Sequence, residues 1–300
     1  MSQIPDGQGV PGTFMGLPDS LTNPAQSRIC IIPVPFELTT SYQQGTALGP
    51  AALIEASRNV EVYDHETDTV VCELGINTTA PIEAETSEKM LSSLEEVVKQ
   101  QTLAGKFVVS LGGEHSISQA PIKAIQDIEE NISILQLDAH TDLRDAYQGN
   151  PLSHASVMAR AQDLPGVTNI VAVGIRAMDQ SEWERGKRED IFFDHEIQED
   201  PDWIEKVISR LGAKVYLSFD LDVFGCELMP STGTPEPGGL SWFQVCKLLK
   251  RVCETRELVG ADVVELMPRE HNQAPDFLAA KLVYKILSYR FHKEYSALKK

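Results

Sequence analysis

Short apolar runs alternate along this chain with longer stretches in which charged side chains recur at helical spacing. The runs Ile29–Val34, Phe107–Leu111, Ile132–Leu137, Asn169–Val173, Ile191–Phe193, Val215–Phe219 and Leu258–Val264 are apolar almost throughout. Strands of that kind belong to a parallel sheet covered on both faces, where neither side needs polar residues. Between them, Ser87–Gln101, Ser118–Asn131, Ser153–Gln162, Asp202–Leu211, Ser241–Glu254 and Asp276–His292 carry the helical period. Ser87, ahead of Glu88, and Ser241, after a Gly-Gly pair, read as helix N-caps. Strand then helix, repeated, predicts a three-layer α/β/α sandwich around a mostly parallel sheet. Residues 1–27, rich in Gly, Pro, Ser and Asn, read as an irregular arm lying on the body or on a neighbour. Residues 28–300 read as one domain, without repeats or a linker.

Composition narrows the function classes. A length of 300 residues suits a single α/β domain. The net charge of -18 and pI near 4.8 argue against nucleic acid, whose phosphates need a basic surface. No run approaches the roughly 18 apolar residues of a membrane span. The opening MSQIPDGQGVPG lacks the basic and apolar parts of a signal peptide. Cys30, Cys72, Cys226, Cys246 and Cys253 are scattered, odd in number and form no CxxC. A disulfide framework or zinc knuckle is therefore not expected, and a reducing cytoplasm is.

The chemistry gathers where strands end. Phe107–Leu111 runs into Gly-Gly-Glu-His115, and Ile132–Leu137 into Asp138-Ala-His140-Thr-Asp142. Val215–Phe219 runs into Asp220-Leu-Asp222, and Leu258–Val264 into Glu265. In a parallel sheet all carboxyl ends point one way, and ligand sites form in the crevice beyond them. Two histidines and five carboxylates can thus converge: His115, His140, Asp138, Asp142, Asp220, Asp222 and Glu265. Asp138 and His140 are two residues apart, as are Asp220 and Asp222, which on extended backbone puts both side chains on one face. Buried like charges repel and need compensation. The stretch LQLDAHTDLRD, Leu135–Asp145, has no lysine cluster near it to supply that. Two metal ions would. Oxygen and imidazole donors without thiolate favour Mn(II) over zinc or an iron–sulfur cluster. Two metals roughly 3.5–4 Å apart can share a water and bring its pKa toward neutrality. A lone Asp-x-Asp after a strand is more often a turn cap, and a lone histidine more often a structural residue. Three such clusters ending three separate strands favour the dinuclear site.

These motifs, in this order, resemble the ureohydrolase family of arginases and agmatinases. The resemblance runs from about Cys30 to about Tyr289, through VPFELTTSYQQGTALGPAALIEAS, GGEHS, DAHTDLRD, SHAS, SFDLDVF, TGTPEPGGL and VVELMP. It implies the arginase-like sandwich and two Mn(2+) per subunit. His115, Asp138, Asp142 and Asp220 would hold one ion, and Asp138, His140, Asp220 and Asp222 the other, with Asp138 and Asp220 bridging. A bridging hydroxide, oriented by Asp142, would attack a guanidinium carbon and release urea and an amine. Glu265 matches the family glutamate that pairs with the guanidinium, a planar fork of donors suited to a carboxylate. His154 matches the histidine that carries a proton to the leaving amine, a task suited to its pKa near working pH. Homotrimers or hexamers are the family's usual assemblies.

GTPEPGGL looks more like the agmatinases than the arginases, which implies agmatine as substrate, putrescine as product and a place in polyamine biosynthesis. Guanidinobutyrate, guanidinopropionate, guanidine and arginine stay open, as do a formimidoyl-glutamate hydrolase and a non-catalytic metal-binding relative. The sequence departs from the family twice. Glu114 stands where many members have aspartate, and Gly225-Cys226 where many have Asp-Pro, in a loop expected to shape the pocket. Arg176 is expected to be an ion-pair partner at the acidic rim or an interface residue. Trp183 and Trp242 are expected to pack, and Cys226 to be a small buried residue. Asp194 and Glu196 are weaker candidates for substrate contact.

Overall fold

The computed structural model describes residues 10–299; the first nine residues of the expected arm lie outside the described residues. Eight strands form one sheet: β1 Ile29–Val34, β2 Ile76–Thr78, β3 Phe107–Gly112, β4 Ile132–Leu137, β5 Val167–Ile175, β6 Ile191–Phe193, β7 Lys214–Asp220 and β8 Glu257–Val264. Their order is β2-β1-β3-β8-β7-β4-β5-β6, and every pairing is parallel. The helices are α1 Asp19–Thr22, α2 Gly49–Ser57, α3 Ser87–Leu103, α4 Gln119–Glu129, α5 Val157–Gln162, α6 Asp194–Glu199, α7 Trp203–Arg210, α8 Trp242–Thr255 and α9 Ala274–Leu298.

Side-chain alternation along the strands builds both cores. Ile29 and Ile31 of β1, Val109 of β3 and Leu217 of β7 pack with residues of α2, α7, α8 and α9. Cys30 and Ile32, Val108 and Tyr216, one residue out of step, pack with α3, α4 and α5 on the other face. Both faces are buried, so the strands read as continuous apolar runs. The expected α/β/α sandwich around a parallel sheet is therefore present.

The strand ends are level. Leu137 of β4 pairs with Phe219 of β7, Phe219 with Val263 of β8, and Val263 with Leu111 of β3. The next residues of β4 and β7 are Asp138 and Asp220, side by side. The chain leaves β3 and returns in β4 beyond β8 and β7, so it opens a crevice over the central four strands.

Several element bounds differ from expectation. The cap of α3 is Thr86, whose Oγ1 accepts from Lys89 N at 3.3 Å, and Ser87 is already helical. Ser241 does cap α8, in a reciprocal pair with Gln244. Strand β2 and helices α2 and α6 were not expected: the three-residue β2 is too short for periodicity to reveal, and α2 opens with Gly49-Pro50, which reads as a turn. In the arm, Phe14 and Leu17 are almost fully buried, and Met15 N donates to Ser57 Oγ at 2.7 Å. The described part of the arm thus lies on the body.

Leu217, fully buried in the central strand β7 beneath the crevice, tests this packing. Leu217→Ala should lower stability by about 2–5 kcal/mol in a denaturant melt. A loss under about 0.5 kcal/mol would contradict the burial.

Candidate metal centre

Beyond β3, β4 and β7 the carboxylates meet around two histidines. His115 Nδ1 lies 3.2 Å from Asp138 Oδ2, 3.0 Å from Asp142 Oδ2 and 3.4 Å from Asp220 Oδ2. His140 Nδ1 lies 3.0 Å from Asp222 Oδ2 and 3.6 Å from Asp138 Oδ1. Two groups able to hold a metal result, His115 with Asp138 and Asp220, and His140 with Asp138 and Asp222. Asp138 belongs to both. Donors about 2.1 Å from one ion and at right angles lie roughly 3 Å apart, which is the spacing found.

Hydrogen bonds point the donor atoms inward. Asp138 Oδ1 accepts from His140 N at 2.6 Å, Asp222 Oδ1 from Ala139 N at 2.9 Å, and Asp220 Oδ1 from Asp222 N at 2.8 Å. Each bond holds one oxygen and turns the other toward the cluster. Ser218 Oγ donates to Asp262 Oδ1 at 3.0 Å, so at 2.9 Å it accepts from His115 Nε2. In the neutral ring the proton therefore sits on Nε2, and Nδ1 offers a lone pair. That buried Nδ1 has no hydrogen-bond partner. A buried lone pair aimed at three carboxylate oxygens fits a cation and little else.

Two of the expected residues sit in left-handed backbone, Asp142 at φ 51° and Glu265 at φ 67°. Neither is glycine, and such strain persists where surroundings enforce it, often at functional sites. The carbonyl of Asp142 accepts from Met158 N and Ala159 N at the start of α5, while its side chain turns to His115. The Glu265 carboxylate accepts from His115 N at 2.7 Å. Gly113 is required by close approach, since a Cβ there would stand 2.2 Å from the carbonyl of Phe36.

The electrostatics state the same imbalance. Burial works against charging His115, yet the carboxylates of Asp138, Asp142 and Asp220 around its Nδ1 outweigh it and raise its pKa well above 6.5. His140 is likewise held up, against burial, by the charges of Asp222 and Asp138. Burial raises the Asp220 carboxyl well above the ordinary range, and the charges of Asp222 and Asp138 add to it. Asp142 is raised by burial and then by Asp138. Asp138 is lowered, because bonds to both histidines overcome its burial. Glu265 is pushed up to about 8, chiefly by burial.

A cavity of about 290 Å³ opens over the cluster. Of the expected residues, His115, His140, Asp142, His154, Asp220, Asp222 and Glu265 all line it, and Asp138 lies beneath at full burial. Gly225 and Cys226 do not line it, contrary to expectation; their turn is bonded to Leu240 and Met229 instead. Asp194 and Glu196 also lie off the cavity. Asp194 accepts from Gly239 N, and Glu196 pairs with Arg188. Arg176 makes no ion pair among the described residues. Its guanidinium donates to carbonyls of Gly174, Asp222, Val223, Phe224, Glu236 and Pro237 and so ties the 222–224 and 236–237 loops together. A planar fork of five donors suits converging carbonyls as well as a carboxylate. Trp242 stacks on Phe224, as packing predicts, whereas Trp183 is exposed beside Phe193.

Three residues that support the cluster were missed. Gln136 Nε2 donates to Asp138 Oδ2 at 2.9 Å, and Ser218 and Asp262 orient His115. Gln136 and Asp262 are polar residues within apolar strand runs, and that was the available signal.

The Arginase family model matches residues 27–288. The chain belongs to the arginase family. Among relatives, the N(1)-aminopropylagmatine ureohydrolase of Synechocystis sp. is 35% identical over 280 residues, covering 90% of this chain and 92% of that protein. The agmatinase of Bacillus anthracis is 32% identical, covering 87% and 91%. The crystal structure of agmatine ureohydrolase of Thermoplasma volcanium superposes with a TM-score of 0.83 at 31% identity, covering 92% and 95%. As an agmatinase-like ureohydrolase of the arginase family, the protein is a hydrolase of C–N bonds in linear amidines. Among the described residues no helix is long and apolar enough to cross a membrane.

The pKa of both histidines is raised in the metal-free protein, so a metal binding there would displace protons from them. Manganese addition at pH 7 should therefore release protons, and affinity should rise with pH. Calorimetric titration in buffers of different ionisation enthalpy measures this. Binding without proton release would contradict the cluster as the site.

Proposed function

We propose that the protein hydrolyses a linear guanidino amine, agmatine or a longer amine of the same kind, to urea and the corresponding amine. The observation that carries this is Glu265, a buried carboxyl that lines the cavity beside the two candidate metal clusters and accepts from His115 N at 2.7 Å. Such a group gains most from a buried planar cation. His115, Asp138, Asp142 and Asp220 would hold one Mn(2+), and Asp138, His140, Asp220 and Asp222 the other. The oxygen-rich, thiolate-free donor set supports manganese. Bound there, the metals would supply an acidified water as nucleophile.

The chain's own groups do the rest. Glu265 holds the guanidinium with its carbon over the cluster. Asp142 orients the attacking water. As the bond from the guanidinium carbon to the alkyl nitrogen breaks, His154, on the cavity wall, takes the proton from the carbon's new hydroxyl and passes it to that nitrogen. Products are urea and a neutral amine that protonates in water.

The rim supports an amine tail over an acid tail. Glu236 lines the cavity with 38% of its side chain exposed and has no Lys or Arg partner among the described residues. Arg144, the cation on the same rim, is paired with Asp179 at 3.4 Å and stacked on Tyr147. The names of the relatives support the same reading. A formimidoyl acid as substrate would leave Glu236 facing a carboxylate. A non-catalytic role leaves the strained Asp142 and Glu265 unexplained.

Urea release by the manganese-loaded protein should be measured with agmatine, aminopropylagmatine, arginine, guanidinobutyrate, guanidinopropionate and guanidine. Turnover is expected with the amines, and preference for guanidinobutyrate would overturn the amine reading. Asp220→Ala should abolish turnover and weaken both metals, and an active variant holding two ions per chain would refute its bridging role.

A further inference from the structure

Glu114 is fully buried next to the metal cluster, yet the reaction above assigns it nothing. Its carboxylate gathers four donors. Leu38 N at 2.8 Å and Thr39 N at 2.6 Å reach Oε2; Thr39 Oγ1 at 2.8 Å and Ser116 Oγ at 2.5 Å reach Oε1. A carboxylate only accepts, so the single hydroxyl hydrogen of Thr39 is committed to Glu114. What remains on Thr39 Oγ1 is lone pairs, and both point at one residue. His154 N donates to it at 3.0 Å, and His154 Nδ1 lies 3.1 Å away.

Two lone pairs cannot share a 3.1 Å contact favourably, so Nδ1 must be the ring nitrogen that carries hydrogen. Ser153 Oγ, 3.3 Å from the same nitrogen, can accept from it as well. Tyr147 packs edge-on against the ring, with centroids 5.8 Å apart, and limits its rotation. Neutral His154 then presents a bare Nε2, the form that takes a proton at Nε2 and returns it there.

We propose that Thr39, held by Glu114, is a positioning residue that fixes the Nδ1–H tautomer and the orientation of His154, so that Nε2 is the atom that exchanges the proton with water and the leaving amine. This rests on the reading of His154 as the proton carrier. The loop bearing Thr39 is suited to it. Phe36 O accepts from Glu114 N at 2.9 Å, and the Glu37 carboxylate accepts from Gly45 N at 2.8 Å, so both ends of the 37–45 loop are pinned. One buried carboxylate thus couples the turn that bears His115 to the loop that steers His154.

The test has two arms. In the first, imidazole nitrogens labelled with nitrogen-15 are observed by NMR at alkaline pH, with the His154 signals identified by their loss in His154→Ala. Hydrogen on Nδ1 is expected in the native protein, and hydrogen on Nε2 would overturn the proposal whether or not a substrate is known. In the second, Thr39→Val should lower kcat about 10–100-fold with KM and manganese content unchanged, and Thr39→Ser should restore it. Placed in a His154→Ala background, Thr39→Val should cost nothing further, because it acts through the missing ring. An equal loss in both backgrounds would overturn the proposal, as would a native rate for Thr39→Val. A native rate for His154→Ala would instead defeat the proton-carrier reading and leave the tautomer result standing.

Discussion

Repulsion among buried carboxylates is the constraint on which the rest of this structure depends. Asp138, Asp142, Asp220 and Asp222 are brought within contact of two imidazoles at the mouth of a parallel sheet. Unpaired charges in such a place are costly, and protein groups alone answer only by protonating the histidines and raising Asp220 and Asp142. Divalent cations bound there would resolve the conflict in one step, because they would let every carboxylate ionise and both histidines stay neutral. The backbone N–H groups that grip one oxygen of each of Asp138, Asp220 and Asp222, and the Ser218–Asp262 pair behind His115, keep the donors aimed while the charge is balanced.

The fold supplies the convergence cheaply. With β4, β7 and β8 in register, residues far apart in sequence arrive level at one edge. The rigid elements carry the metal donors. The loops carry the rest of the cavity wall: the 37–45 loop, the turn with His154, and the 233–240 segment bearing Glu236. Arg176 holds that last segment to the turn after β7 by carbonyl contacts alone. Chemistry on strand ends and specificity on loops is the division expected when positions must be fixed and substrates may vary.

Much of this was legible in the sequence, because two simple periodicities carry it. Apolar runs of five or six residues followed by Asp-x-His-x-Asp or Asp-x-Asp reveal both the buried strand and the charge at its end. The capping of α8 by Ser241 followed from local chemistry. What stayed hidden depends on partners distant in sequence. Gln136, Ser218 and Asp262 look like single polar interruptions until neighbouring strands align them. Arg176 looked like an ion-pair residue, because residue type does not show that its neighbours would be carbonyls. The 225–226 turn looked like a pocket wall since it directly follows Asp222, yet the chain turns away to meet Leu240. Glu114 looked like a neutral variation of a motif, and only its four donors reveal that it organises a loop.

Anomalous diffraction at the manganese edge, from crystals of the manganese-loaded protein, tests the central claim most directly. The account predicts two peaks per chain, roughly 3.5–4 Å apart, one against His115 Nδ1 and one against His140 Nδ1 with Asp138 reaching both. A single peak, or manganese bound away from these histidines while the cluster stays empty, would contradict it.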